Sequence, residues 1–144
     1  MIHLEHPSDE MCDLRRDWFE QKAEPPADGG YLLSEQACAM VADLQCAFSA
    51  GAWLAAVVLA AAVIDAHLHD AEGFSGNAKR AIDLDGADPQ LHNLRMRRNT
   101  LIHADPDRPA ITVDQQWSER LRLEEDARLY VELVFRVFYA NSSV

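Results

Sequence analysis

Between Leu94 and Pro109 the sequence reads LRMRRNTLIHADPDRP, and two of its residue types are equipped for phosphate chemistry. Arg98 carries a planar guanidinium that can grip a phosphate through two parallel N–H bonds. His103 carries an imidazole, which titrates near neutral pH and is the side chain most often used to move protons. Asn99 stands four residues before His103 and so shares its helix face. Arg95 lies on the same side one turn earlier. Arg95 and Arg97 add cations suited to contacts with an anionic substrate.

At ~100° per residue, Leu91, Leu94, Leu101 and Ile102 fall into one apolar stripe, and Arg98 lies inside it. An arginine on a core-facing side is costly unless it is paired or faces an interface or cleft. Arg98 and His103 are separated by roughly 140° on an ideal helix. They can meet only through the reach of the arginine, distortion at the helix end, or a second protomer. Two readings of the segment stay open. In one, Arg98 clamps a carboxylate such as Asp65, and His103 sits in the last helical turn because a helix C-terminus favours cations. In the other, the pair is catalytic.

The elements that must position these residues are helices. Ser8-Asp9-Glu10 is an N-cap with acids in the first turn, opening a helix to about Ala23 with Met11, Leu14, Trp18 and Phe19 toward one face. EPPADGG then breaks the chain. Ser34 caps a second helix with apolar positions at Ala37, Val41, Leu44 and Phe48, and Gly51 marks a break. The run Ala52 to Ile64 is apolar all round. It is shorter than the ~20 residues of a membrane span, and a central core helix extending to about Glu72 is expected. EGFSGN reads as a loop and AKRAIDLDGA as a short helix or turn. Asp88-Pro89 starts a helix lasting to about His103. After the long ADPDRPAITVDQQ loop, a last helix runs from about Trp117 to Ala140, with Leu121, Leu123, Ala127, Tyr130, Val131, Val134 and Phe138 at helical spacing. The expected fold is all-α, an up-and-down bundle of four to five helices. Residues 1–144 form one domain, with an N-terminal helix and Pro/Gly linker over 1–30 and the bundle core over 31–144.

The chain carries a net charge of −11, yet the five basic residues between Lys79 and His103 face only three acids, a local +2. Such a balance argues against a broad nucleic-acid platform and leaves room for one focused positive site. Cys12, Cys38 and Cys46 form no CxxC and read as small apolar fillers in a reducing compartment. MIHLEHPSDE lacks the apolar core of a signal peptide, and a cytoplasmic location away from membranes is expected. DAHLHD (Asp65, His67, His69, Asp70) has the residue types of a metal site. However, His67 and His69 point ~160° apart on a helix, so a solvated helix end is the expectation and no metal or cofactor is implied.

RRNTLIH resembles the signature of the HEPN superfamily, all-α domains whose RNA-cleaving members carry arginine, four to six residues, then histidine. The residue after the arginine is commonly Asn, Asp or His, and Arg98, Asn99 and His103 match with a spacing of four. The order of elements resembles HEPN-type bundles across about Ser34 to Ala140. The resemblance implies a homodimer whose two motifs meet at the subunit interface and cleave RNA without metal, using the 2′-hydroxyl as nucleophile. His103 would then assist proton transfer, Arg98 would stabilise the phosphorane-like transition state, and Asn99 would orient the histidine or bind a phosphate oxygen. It further implies a toxin–antitoxin or phage-defence setting with an antitoxin or regulatory partner. The branch paired with minimal nucleotidyltransferases carries a tyrosine two residues after the histidine, where this chain has Asp105. HEPN relatives also include non-catalytic modules that bind a partner protein or nucleotide, which is the alternative.

Overall fold

The structure, a computed structural model, describes residues 1–27, 30–31, 33–75, 88–140 and 142–143. Three of its long helices begin where short polar side chains satisfy the amides that a first turn leaves unpaired. The Ser8 hydroxyl accepts from the Met11 amide at 3.1 Å and opens α1 (Asp9–Ala23). Ser34 does the same for α2 (Glu35–Ser49) through the Ala37 amide at 3.2 Å. α2 ends in a Schellman motif, with the Gly51 amide donating to Phe48 O and the Ala52 amide to Ala47 O. Gly51 has a φ of 75° there, a conformation that costs any residue with a Cβ.

α3 (Trp53–Ser75) follows at once, and α4 (Pro89–Ile102) starts behind Asp88, whose carboxylate accepts from the Gln90 amide at 3.0 Å. The Thr112/Gln115 capping box opens α5 (Val113–Ser118). Glu119 leaves helical geometry at φ −109°, ψ 30°, and α6 (Arg120–Tyr139) begins after it. The expected single last helix is therefore two, and the described residues hold six helices rather than four or five. Gly30–Tyr31 (β1) pairs antiparallel with Ser142–Ser143 (β2), Gly30 opposite Ser143. The expected loop at EGFSGN is helical as far as Ser75, where α3 ends, and its last two residues lie outside the described ones. The expected element at 78–87, with Lys79 and Arg80, lies outside the described residues.

Contacts fix the helix directions. Ser34 meets His67 across the Gly51 turn, so α2 and α3 run antiparallel. His67 packs on Phe138, and Trp53 lies near Arg120, so α3 and α6 are parallel. α4 opposes α6, because Arg136 reaches Asp88 at 2.7 Å while Arg97 lies with Asp126. The α1 C-terminus lies at the α6 C-terminus, where Tyr139 OH donates to Ala23 O at 2.6 Å. The long helices thus alternate up and down.

α3 lies at the centre, with Ala56, Ala60, Ala61, Val63 and Ile64 buried. The stretch Trp53–Asp70 is long and apolar enough to cross a membrane by length and composition. In this fold half of the stretch is buried against the other helices. Phe48 joins three helices: its ring is 5.0 Å from Trp18, 6.0 Å from Phe19 and 5.3 Å from Trp53. Several expected core positions are at the surface. Met11, Leu14 and Ile102 are exposed, because α1 and α4 touch the bundle over only part of their faces, and Leu121, in the first turn of α6, is exposed too. Trp117 is exposed as well, and so are Cys38 and Cys46, which fill no apolar gap.

Phe48→Ala removes the ring on which three helices converge. It should cost about 3–5 kcal/mol, read as a lower urea midpoint with an unchanged slope.

Candidate functional site

Asp65 is the acidic residue of α3 that faces α4. Its Oδ1 accepts from Arg95 Nε at 3.3 Å, and its Oδ2 pairs with Arg98 Nη1. The side chains are 25% exposed for each arginine and 34% for the aspartate, so the pairs are partly shielded from water. The polar residue on the apolar stripe is thus held by the carboxylate named as its candidate clamp. Arg98 makes a second attachment, with Nε and Nη2 donating to Asn99 Oδ1 at 3.2 and 3.0 Å. A guanidinium has five N–H donors. These bonds leave one N–H on each terminal nitrogen without an acceptor among the described residues.

His103 ends α4. Its backbone amide donates to Asn99 O at 2.9 Å, and its side chain is exposed, with no hydrogen bond to the imidazole among the described residues. Asn99 therefore connects the two expected catalytic groups, the side-chain carbonyl holding Arg98 and the backbone carbonyl holding His103. It orients the arginine; no contact with the imidazole ring is present. Arg97 points elsewhere. Its Nη1 donates to Ala110 O at 3.0 Å, and it borders a cavity of about 200 Å³ with Glu119, Arg122 and Asp126. The nearby Tyr130 phenol is pushed up by burial and by Asp126, with Arg97 opposing. Arg95 and Arg98 are thus gathered around Asp65 with Asn99 behind Arg98, His103 stands at the exposed helix end, and Arg97 braces the following loop.

DAHLHD splits in two. His69 is exposed, but His67 is 8% exposed, its ring 4.9 Å from Phe138 and its Nδ1 accepting from the Ser34 amide at 3.5 Å. The expected solvated helix end is therefore corrected at His67, which is core. Burial lowers its pKa, opposed by the Asp70 carboxylate. Among the described residues no three His, Cys, Asp or Glu side chains come together as metal ligands would. A second arginine cluster, Arg15 and Arg120 against Trp53, left no mark in the sequence, because its members come from three separate helices.

No protein-family model, curated protein or solved structure matches this chain. Fold and site therefore define it as an all-α helical bundle with an aspartate-clamped arginine beside an exposed histidine.

Two outcomes follow from this geometry. Asp65→Asn should cost about 1 kcal/mol, modest because the pairs are partly exposed. Adding Arg98→Gln should then cost less than it does alone, a non-additivity read by a double-mutant cycle in urea. For His67, the folded chain holds the ring neutral while the unfolded chain protonates it near the usual 6.5. Stability should be level above that pH and fall as pH drops from there toward the lowered folded value. His67→Gln should remove that part of the slope when midpoints at about pH 7.5 and about pH 5.5 are compared.

Proposed function

We propose that this chain is a metal-independent RNA endonuclease of the HEPN-like kind, working as a homodimer in which two Arg98/Asn99/His103 sets face one another. The observation that carries the proposal is the presentation of Arg98. Asp65 and Asn99 fix the guanidinium plane and leave an N–H on each terminal nitrogen to donate to a bidentate oxyanion. The exposed His103 stands four residues on, its backbone amide bound to the same Asn99. In the reaction, His103 takes the proton of the ribose 2′-hydroxyl, whose oxygen attacks the adjacent phosphorus. Arg98 stabilises the charge gathering on the phosphorane oxygens. The 5′-oxygen leaves with a proton from a second acid, which the partner subunit's His103 supplies, and a cyclic phosphate remains. Arg95 adds positive charge behind Arg98. A toxin or phage-defence role with an antitoxin or regulatory partner fits an RNA-cleaving activity of this type.

The Asp65–Arg98 pair also favours a second reading, a non-catalytic bundle that binds a partner protein or nucleotide. In that reading the carboxylate alone accounts for an arginine at this position, and the exposed Asp105 and Asp107 beside His103 keep RNA away.

Purified wild type incubated with RNA in EDTA should yield cyclic-phosphate ends. His103→Ala and Arg98→Gln should each lose about 10²-fold or more of that activity. His103 is exposed, so its replacement should leave the fold intact. Equal, negligible cleavage by wild type and His103→Ala would sink the enzyme and leave the binding module. Light scattering should give a dimer, and a strict monomer would remove the composite site.

A further inference from the structure

The N-terminal segment, α1, the Gly51 turn and the α5–α6 junction line a cavity of about 530 Å³ that includes none of Asp65, Arg95 and Arg98. Its size lies within the roughly 300–1,000 Å³ of small-molecule sites. Two arginines line it. Arg15 Nη1 donates to Ser49 O at 3.3 Å and Arg120 Nη2 to Gly51 O at 2.6 Å, so each also caps the carbonyl end of α2. Both lie over the Trp53 ring, with guanidinium carbons 4.8 Å and 5.9 Å from its centre. Gly51 permits the approach, since a Cβ there would stand 3.0 Å from Arg15 Nη1.

Capping does not account for everything here. Arg15 Nε is buried without a partner, and neither arginine has an ion pair among the described residues. Arg120 is pushed below its ordinary pKa, first by burial and then by Arg15, with Glu124 opposing. Glu124 itself is bound to Arg128 at 2.9 Å, and Glu5 and His6 lie on the exposed N-terminal wall. Arg15 and Arg120 repel one another, a cost that a shared anion offsets. The remaining walls are apolar and only partly covered: Leu4, Met11, Trp117 and Leu121 line the cavity and are exposed.

We infer that this cavity binds a small organic anion, its phosphate or carboxylate head on Arg15 and Arg120 and its aromatic or apolar body against Trp117, Leu121 and Met11. The site is separate from Arg98 and does not depend on RNA cleavage. A head group between the two guanidiniums gives Arg15 Nε an acceptor and offsets the repulsion. A flat body covers the exposed indole.

Titration calorimetry with four probes tests it: naphthyl phosphate, naphthoate, naphthol and inorganic phosphate. Both naphthyl anions should bind at least about tenfold more tightly than naphthol or inorganic phosphate. Whichever head group binds better identifies the ligand as an organic phosphate or an organic acid. Arg120→Gln should weaken the naphthyl anions about tenfold or more, with circular dichroism checking the fold. Trp117→Ala, at an exposed position, should bring them toward the affinity of inorganic phosphate while leaving phosphate itself unchanged. The proposal fails if all four probes bind wild type alike, or if the naphthyl anions bind both variants as tightly as wild type.

Discussion

One carboxylate on the central helix, Asp65, sets much of this protein's geometry. α3 is surrounded by α2, α4 and α6 and buries alanines, valines and an isoleucine along its length. Asp65 interrupts that surface. A charge in such a place needs a partner, and α4 brings two arginines to it. Leu91 and Leu94 anchor the apolar side of α4 beneath them. The register of α4 on α3 is therefore specified twice, by packing and by charge. Rotating α4 by one residue would turn both leucines and both arginines away from their partners together. The orientation of Arg98, and through Asn99 the position of the helix end at His103, depends on that register.

The chain collects its positive charge at places where backbone or carboxylate oxygens are already concentrated. Arg98 and Arg95 meet Asp65, Arg97 meets Ala110 O, Arg15 meets the last carbonyl of α2 and Arg120 that of Gly51 just beyond it. In a molecule of net charge −11 such sites are local, and long-range attraction of a polyanion is weak. Recognition of any anion must then come from short, directed N–H bonds rather than from the field of the whole molecule. That constraint applies equally to the proposed RNA site and to the cavity at Trp53. It places both among sites that are selective by shape.

The sequence made the helix starts plain, because Ser8, Ser34 and Asp88 each do one local job that needs no tertiary knowledge. Gly51 was readable for the same reason. Asp65 could be named as a partner for Arg98, since both stand out as polar residues in apolar surroundings. Other features depended on contacts that periodicity does not encode. A helical stripe shows which residues share a face but not how much of the face is covered, so Met11, Leu14, Ile102 and Leu121 looked like core. The break at Glu119 has no proline or glycine to announce it. His67 was concealed by its polar neighbours, and the Arg15–Arg120 cluster forms only once α1 and α6 run side by side.

The segment after His103 is ordinary in composition and unusual in how it is tethered. Behind it, the His103 amide is bound to Asn99; within it, the Asp107 amide and the Arg108 amide both close on Asp105. Ahead of it, Arg97 holds Ala110 O and Thr112 caps α5. Surface loops generally accept added residues at small cost, since closure entropy grows slowly with length. This one is fastened to the same helix at both ends, so an extra residue would pull either His103 from Asn99 or Ala110 from Arg97. Across natural variants it is a segment whose length should vary less than its amino acids.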